Sequence, residues 1–300
     1  MSPADDEVRF YDRATGEVRR EVVYAEGGVR WLYQTRLGRI LGHVLSARLP
    51  SVLYGAWLDS RFSRGKIRGF AAALSIDLDE ASRAVDEYPS FNAFFARALK
   101  PGRRTISADP AVLASPADGR VWGRALDQAG MTLPIKGVPF TVARLLDDAG
   151  LAARYRGGTA IVVRLCPADY HRFHFPDGGI PGPARRVGGR LHSVNPMALA
   201  SGLEIFDRNA REVTQLESDG FGTIAYVEVG AMFVGRIVQT FRPHERVARG
   251  DEKGYFTFGA STVVLVLEPG RLVLDADIAD ATARGLETRL ALGDSLGRRP

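Results

Sequence analysis

Cysteine is almost missing from this chain: Cys166 is the only one in 300 residues. A single thiol excludes an internal disulfide and suits a reducing compartment or indifference to redox state. Lysine is nearly as scarce, standing only at positions 66, 100, 136 and 253. Arginine therefore carries the positive charge, and 40 Lys+Arg against 35 Asp+Glu leave a formal +5. Such an excess suits an acidic partner, either nucleic acid or an anionic lipid surface. No apolar run approaches the roughly 20 residues of a spanning helix, and no charged-then-apolar signal segment opens the chain. Any membrane contact is expected to lie on the surface. No heptad array, internal repeat or low-complexity tract stands out.

What is present reads as a soluble globular protein, with 45% hydrophobic and 25% charged residues. The length allows one large domain or two. Val8 to Tyr24 is expected to form a hairpin about Ala14-Thr15-Gly16-Glu17. From Trp31 the spacing turns helical, with Leu37, Ile40, Leu41, Val44 and Leu45 on one face and Pro50 as a stop. Further helices are expected over 52–62, 67–74, 79–84 and 91–99, the last capped by Ser90. Trp31, Tyr33, Tyr54 and Trp57 sit among arginines. That mixture fits helices lying at a lipid interface and equally a helical subdomain packed on a core. Lys100 to Arg104 breaks the pattern and sets a boundary between 1–104 and 105–300.

Beyond 105 short apolar runs alternate with Gly/Pro/Asp turns, the signature of a mostly β barrel or sandwich. One helix, 141–149, interrupts it, and 281–300 reads as a helix and a frayed tail. The fold class is thus α+β, a helical N-terminal membrane-associating region followed by a β-rich domain.

The stretch from Gly254 to Leu267 reads as two strands broken by the corner Gly259-Ala260-Ser261. It is either a bulge that happens to hold a serine or a hydroxyl set beside a peptide carbonyl. Two of the five histidines, His171 and His174, lie three apart after the strand Ile161 to Leu165. With Asp169 they resemble half a zinc site, but no convincing third ligand is found, so no metal is expected. Ser115-Pro116-Ala117-Asp118-Gly119 is a marked turn. Asp118, a histidine and Ser261 would together supply an orienting carboxylate, a base and a nucleophile. The Gly-x-Ser-x-Gly elbow of α/β-hydrolases is absent. The nearest acyl group is the peptide preceding the serine itself.

These motifs, in this order, resemble the phosphatidylserine decarboxylases. The resemblance runs from about Arg30 to Leu267. It includes Trp31-Leu32-Tyr33, Ser51-x-x-Tyr54-Gly55, Phe91-Asn92-x-Phe94-Phe95-x-Arg97, Ser115-Pro116-x-Asp118-Gly119 and Lys136-Gly137. It continues with Pro167-x-Asp169-Tyr170-His171-Arg172-x-His174, Ser193-Val194-Asn195-Pro196, Val229-Gly230-Ala231-x-x-Val234-Gly235 and Lys253-Gly254-x-Phe256-x-Phe258-Gly259-x-Ser261-Thr262. One position departs from it: the family usually has glycine before the processed serine, and here stands Ala260.

The resemblance implies self-cleavage between Ala260 and Ser261 into a β chain, 1–260, and an α chain, 261–300. Ser261 would become a covalent pyruvoyl cofactor. It implies Asp118 and His174 acting on Ser261 in cleavage, with His171 returning a proton in decarboxylation. The pyruvoyl group would form a Schiff base with phosphatidylserine, giving phosphatidylethanolamine and carbon dioxide. It places the protein peripherally on the cytoplasmic face of the cell membrane, with no nucleic acid partner and with room for a homodimer. Two other readings stay open: an uncleaved lipid- or partner-binding protein, favoured by Ala260, and a pyruvoyl decarboxylase of another amino-acid head group.

Overall fold

The computed structural model describes residues 8–21, 48–126, 131–132, 139–189, 209–230, 236–259 and 261–300, with single positions at 27, 31, 35, 37 and 38. Most of the helix expected from Trp31, and the motifs at Lys136-Gly137, Ser193 to Pro196 and Ala231 to Gly235, lie outside them. So does Ala260.

The run Ser261–Leu267 is β-branched and apolar, and every one of its residues is buried. Such a run has no polar face to leave in water, so it belongs inside a sheet rather than at its rim. It lies between Gly222–Val229 and Thr159–Leu165 in a ten-stranded sheet. Beyond Gly222–Val229 come Arg211–Ser218 and Arg185–Val187, with Gly179–Pro181 also pairing Arg211–Ser218. On the other side follow Gly119–Ala125, Glu287–Leu290, Arg9–Asp12 and Glu17–Arg20. All these pairs are antiparallel except Arg9–Asp12 with Glu287–Leu290.

Among the described residues the sheet is open, not a closed barrel. Its end strand, Glu17–Arg20, is Glu-Val-Arg-Arg and fully exposed. A short charged edge blunts further pairing. Among the described residues two three-stranded sheets and a two-stranded one, Met131–Thr132 with Pro139–Phe140, accompany the large sheet. One of the three-stranded sheets joins Ile237–Gln239, Glu252–Phe256 and Arg172–His174, and the other joins Val273–Leu274, Ser295–Arg298 and Val112–Ala114.

Among the described residues the helices are few and short. Arg48–Asp59, Lys66–Ala73 and Phe91–Phe95 carry the second core cluster, which includes Leu58, Ile67, Phe70, Phe91, Phe94 and Phe95. No long N-terminal helical region stands among the described residues, and none of their helices is long and apolar enough to cross a membrane. Pro50, expected as a stop, lies within the described helix Arg48–Asp59. Ser90 caps Phe91–Phe95 as expected, accepting from the Ala93 N–H.

Two other expectations are corrected. The single helix over 141–149 is two, because Asp147 turns left-handed at φ +51° and Asp148 caps a new start. The tail is not frayed: after helix Ala276–Ala283 the chain adds Glu287–Leu290 and Ser295–Arg298 to two sheets. Thr288 and Leu296 are fully buried there.

Candidate active site

Ser261 and His171 meet because the chain passes twice between the same two sheets. The first passage leaves the large sheet at Leu165, turns through 166–171 and enters the small sheet at Arg172–His174. The second leaves the small sheet at Phe256 and re-enters the large one at Ser261. Leu165 pairs with Ser261 in the large sheet, and Arg172 with Tyr255 in the small one. The two crossings therefore run side by side. Gly259 takes φ +143° in the second, in a region that side chains disfavour.

Ser261 is fully buried, and its Oγ lies 3.1 Å from Nδ1 of His171. The other ring nitrogen, Nε2, is 3.0 Å from the Cys166 carbonyl. A carbonyl only accepts, so Nε2 carries the proton and Nδ1 is left to accept from the serine hydroxyl. The ring of Phe95 stacks on His171 at 3.9 Å. Burial, and next the field of Arg97, push His171 from its ordinary 6.5 down to about 3. The imidazole is thus neutral and aimed at the hydroxyl, the state required of a general base.

The Cys166 carbonyl is itself held in place. It accepts from the Asp169 N–H at 2.9 Å, while Asp169 Oδ2 accepts from the Cys166 N–H at 2.7 Å. Arg120 Nη1 donates to both Asp169 oxygens, at 2.9 and 3.0 Å. Behind this turn Arg164 donates to both Glu21 and Glu287. Burial alone would raise Glu21, but Arg164 and Arg120 outweigh it and hold that carboxyl at about 2. Cys166 Sγ is engaged in the same belt, 3.2 Å from Arg164 Nη1 and 3.3 Å from Glu21 Oε1.

His174 has a second, separate set of partners. Its Nδ1 donates to the Gly250 carbonyl at 2.9 Å, leaving Nε2 to accept from the Tyr170 hydroxyl at 3.3 Å. Burial lowers its basicity too. Asp118 lies in the turn whose Pro116 carbonyl accepts from the His174 N–H at 2.7 Å. Its carboxylate, however, is held by Arg104, through Nε at 2.8 Å and Nη2 at 2.6 Å, and by the Leu292 N–H at 2.8 Å.

The chain of contacts expected from the resemblance, Asp118 to His174 to Ser261, is therefore not the one the structure draws. It brings His171 to Ser261, leaves His174 on Tyr170 and pairs Asp118 with Arg104. All four histidine nitrogens are engaged, and among the described residues no group of three His, Cys, Asp or Glu is arranged to hold a metal.

Residues with no role assigned from sequence complete the site. Asn92 donates to Asp59 Oδ1 at 2.9 Å and to the Gly55 carbonyl at 3.3 Å, and accepts from the Phe258 N–H at 3.0 Å. The Phe258 ring packs edge-on against Tyr54, Phe70, Phe91 and Phe95. The helical segment thus grips the chain three positions before Ser261. Asn92, Phe95 and Arg97 share one motif, Phe91 to Arg97, which was the available signal.

The model of the family described as phosphatidylserine decarboxylase matches residues 91–297. The chain belongs to this family. A phosphatidylserine decarboxylase proenzyme of Desulfitobacterium hafniense is 42% identical over 293 residues, covering 97% of this chain and 98% of that one. Proteins of the same description from Ruminiclostridium cellulolyticum and Clostridium beijerinckii are 41% and 38% identical over 291 residues. Each alignment covers 97% of this chain, with 97% and 98% of the respective relative. For a phosphatidylserine decarboxylase family member, the matched span holds Asp118, His171, His174 and Ser261 together.

Proposed function

We propose that this chain is a self-processing proenzyme that decarboxylates phosphatidylserine to phosphatidylethanolamine and carbon dioxide. The observation that carries the processing step is the neutral His171 accepting from the buried Ser261 hydroxyl at 3.1 Å. His171 Nδ1 takes the hydroxyl proton, and the serine oxygen attacks the carbonyl carbon of residue 260. The C–N bond breaks, the freed nitrogen takes a proton, and an ester joins the two segments. Loss of the Ser261 α-proton then breaks its Cβ–O bond. This frees the residue 260 carboxylate and leaves a dehydroalanine, which water hydrolyses to ammonia and a pyruvoyl group. The products are the β chain 1–260 and the α chain 261–300.

The residues present fit that group, since it arises from Ser261 itself and Ser261 meets a base whose tautomer is fixed. Once formed, the pyruvoyl group supplies a conjugated carbonyl that accepts the electron pair left when carbon dioxide departs. His171 Nδ1, facing residue 261, takes a proton from the substrate ammonium as that amine becomes a nucleophile and returns it to the product carbon. His174 and Tyr170 form a second proton-carrying pair beside it. Phe95 and the buried strands keep bulk water from the base.

The substrate's acyl chains stay in the bilayer, so the protein must sit on it. Leu53, Trp57 and Phe62 are 63%, 39% and 75% exposed, close in sequence to Arg61, Arg64, Lys66 and Arg68. Apolar side chains among cations suit an anionic interface, here the cytoplasmic face of the membrane.

The deciding experiment is the intact mass of purified protein under denaturing conditions. Two chains divided between Ala260 and Ser261 are expected, the smaller blocked by pyruvoyl, and Ser261→Ala should give one uncut, inactive chain. A cut, active Ser261→Ala protein would overturn the proposal. An uncut wild-type chain that Ala260→Gly did not release would favour a lipid-binding role.

A further inference from the structure

Among the described residues Arg97 is a buried cation that pairs with no carboxylate. It is 4% exposed, and its Nε and Nη1 have no hydrogen-bond partner. Only Nη2 makes contacts, long ones to the main-chain oxygens of Ala168 at 3.3 Å and Asp169 at 3.5 Å. The guanidinium lies over the ring of Phe94, 5.1 Å from its centre. A charge removed from water this far is normally paired.

The lack of a partner is selective. Arg97 lines a cavity of about 880 Å³, within the range of small-molecule sites. Arg13, Arg104, Arg120 and Arg289 line it as well, and each of these meets a carboxylate. Among the described residues Arg97 meets none. The wall beside Arg97 is the turn from Cys166 to Tyr170, which fixes the His171 tautomer and supplies the hydroxyl on His174. The cavity thus backs directly onto the histidine loop.

We propose that Arg97 binds the phosphodiester of the substrate head group, which enters this cavity and completes the ion pair that the protein leaves open. The inference rests on the function proposed above. A head group of phosphatidylserine offers two anions. A cation on the carboxylate would hold there the charge that must pass to the carbon skeleton as neutral carbon dioxide forms, and so oppose the reaction. The phosphodiester keeps its charge throughout, and its paired oxygens match the guanidinium fork. Arg97 is therefore a binding residue whose contact is the same before and after the chemical step.

The test uses self-cleaved protein and calorimetric titration with glycerophosphoethanolamine, the soluble head group of the product, with ethanolamine as the phosphate-free control. Arg97→Gln should weaken glycerophosphoethanolamine tenfold or more while leaving ethanolamine within about twofold, and Arg97→Lys should fall between. With phosphatidylserine, the KM of Arg97→Gln should rise tenfold or more with a smaller fall in kcat. Equal affinity of wild type and Arg97→Gln for glycerophosphoethanolamine would overturn the proposal. So would equal losses for both probes, the mark of a merely structural role. If Arg97→Gln does not fold or cut, Arg97→Lys carries the same comparison. Titration needs no turnover, so a wild type that binds glycerophosphoethanolamine through Arg97 yet releases no carbon dioxide would sink the proposed function and not this site.

Discussion

The main-chain N–H of Phe258 donates to the side-chain oxygen of Asn92 across 3.0 Å, joining the helical segment to the corner before Ser261. Asn92 faces Asp59 with its amide group at 2.9 Å. Asn92→Ala leaves the Phe258 N–H without its acceptor and should cost about 1–3 kcal/mol. Asn92→Asp should be worse, since it sets a carboxylate against Asp59. Both should slow the appearance of the two chains on a denaturing gel, in the order wild type, Ala, Asp.

The two histidines should separate in self-cleavage. His171→Ala removes the group that accepts the Ser261 proton and should slow cutting by about 10²–10⁴-fold. His174→Ala leaves that contact in place and should cut within about tenfold of wild type. Time courses of the intact mass read both. Faster cutting by His171→Ala than by His174→Ala would restore His174 as the base.

The depressed basicity of His171 predicts an unusual acid response. Its value falls from 6.5 to about 3, so the ring is neutral across the range in which an ordinary histidine titrates. The cleavage rate should therefore be nearly flat from about pH 8 to about pH 5, where a base of ordinary basicity would lose most of its activity. Stability should behave oppositely. Above pH 6.5 the ring is neutral in both folded and unfolded chains. Between 6.5 and about 3 the unfolded chain takes up a proton that the folded one refuses, so stability falls as the pH falls. In an uncut Ser261→Ala background, His171→Gln should lose less stability between pH 7 and pH 5, read by denaturant unfolding.

Lys253 and Glu228 are both fully buried and paired, with Gln239 bridging them through contacts of 2.9 and 3.1 Å. Burial pulls the lysine down and pushes the carboxyl up, against their mutual attraction. Lys253→Met would strand Glu228 and should destabilise the uncut chain by about 3–5 kcal/mol. Adding Glu228→Leu should recover most of the loss in thermal melts.

Binding to vesicles containing phosphatidylserine should fall when Leu53, Trp57 and Phe62 are changed together to serine, and should weaken with added salt. Flotation of the Ser261→Ala protein reads this without turnover. Unchanged binding of the triple variant would place the membrane contact elsewhere.

How much of this was legible in the sequence depended on how local the signal was. The run Val263 to Leu267 could be read as a strand from its own residues, since a β-branched apolar run needs no neighbour to declare itself, although the strand begins earlier, at Ser261, which the sequence placed in the corner. The last strands could not: Glu287 is buried only because Arg164, far back in the chain, pairs with it. The site shows the same division. Its histidines and serine stand out as residue types, but which histidine meets Ser261 depends on two crossings 90 residues apart in sequence. Arg97 looks like any other arginine until its partners are traced and, among the described residues, none is a carboxylate.

The position of Ser261–Leu267, hydrogen-bonded on both flanks at the middle of the large sheet, has a consequence for the life history of the molecule. The proposed cut would fall where the smaller product is already woven through the larger one, with Glu287–Leu290 in the large sheet and Val273–Leu274 and Ser295–Arg298 in a three-stranded one. Assembly must precede scission, because the separate pieces would have to find each other by diffusion and compete with aggregation. Folding of the precursor is a first-order event, whereas recovery of the mature enzyme from denaturant is second-order and falls off on dilution. On the proposed processing each molecule would have one opportunity to be built, since activation would erase the connectivity that made building easy.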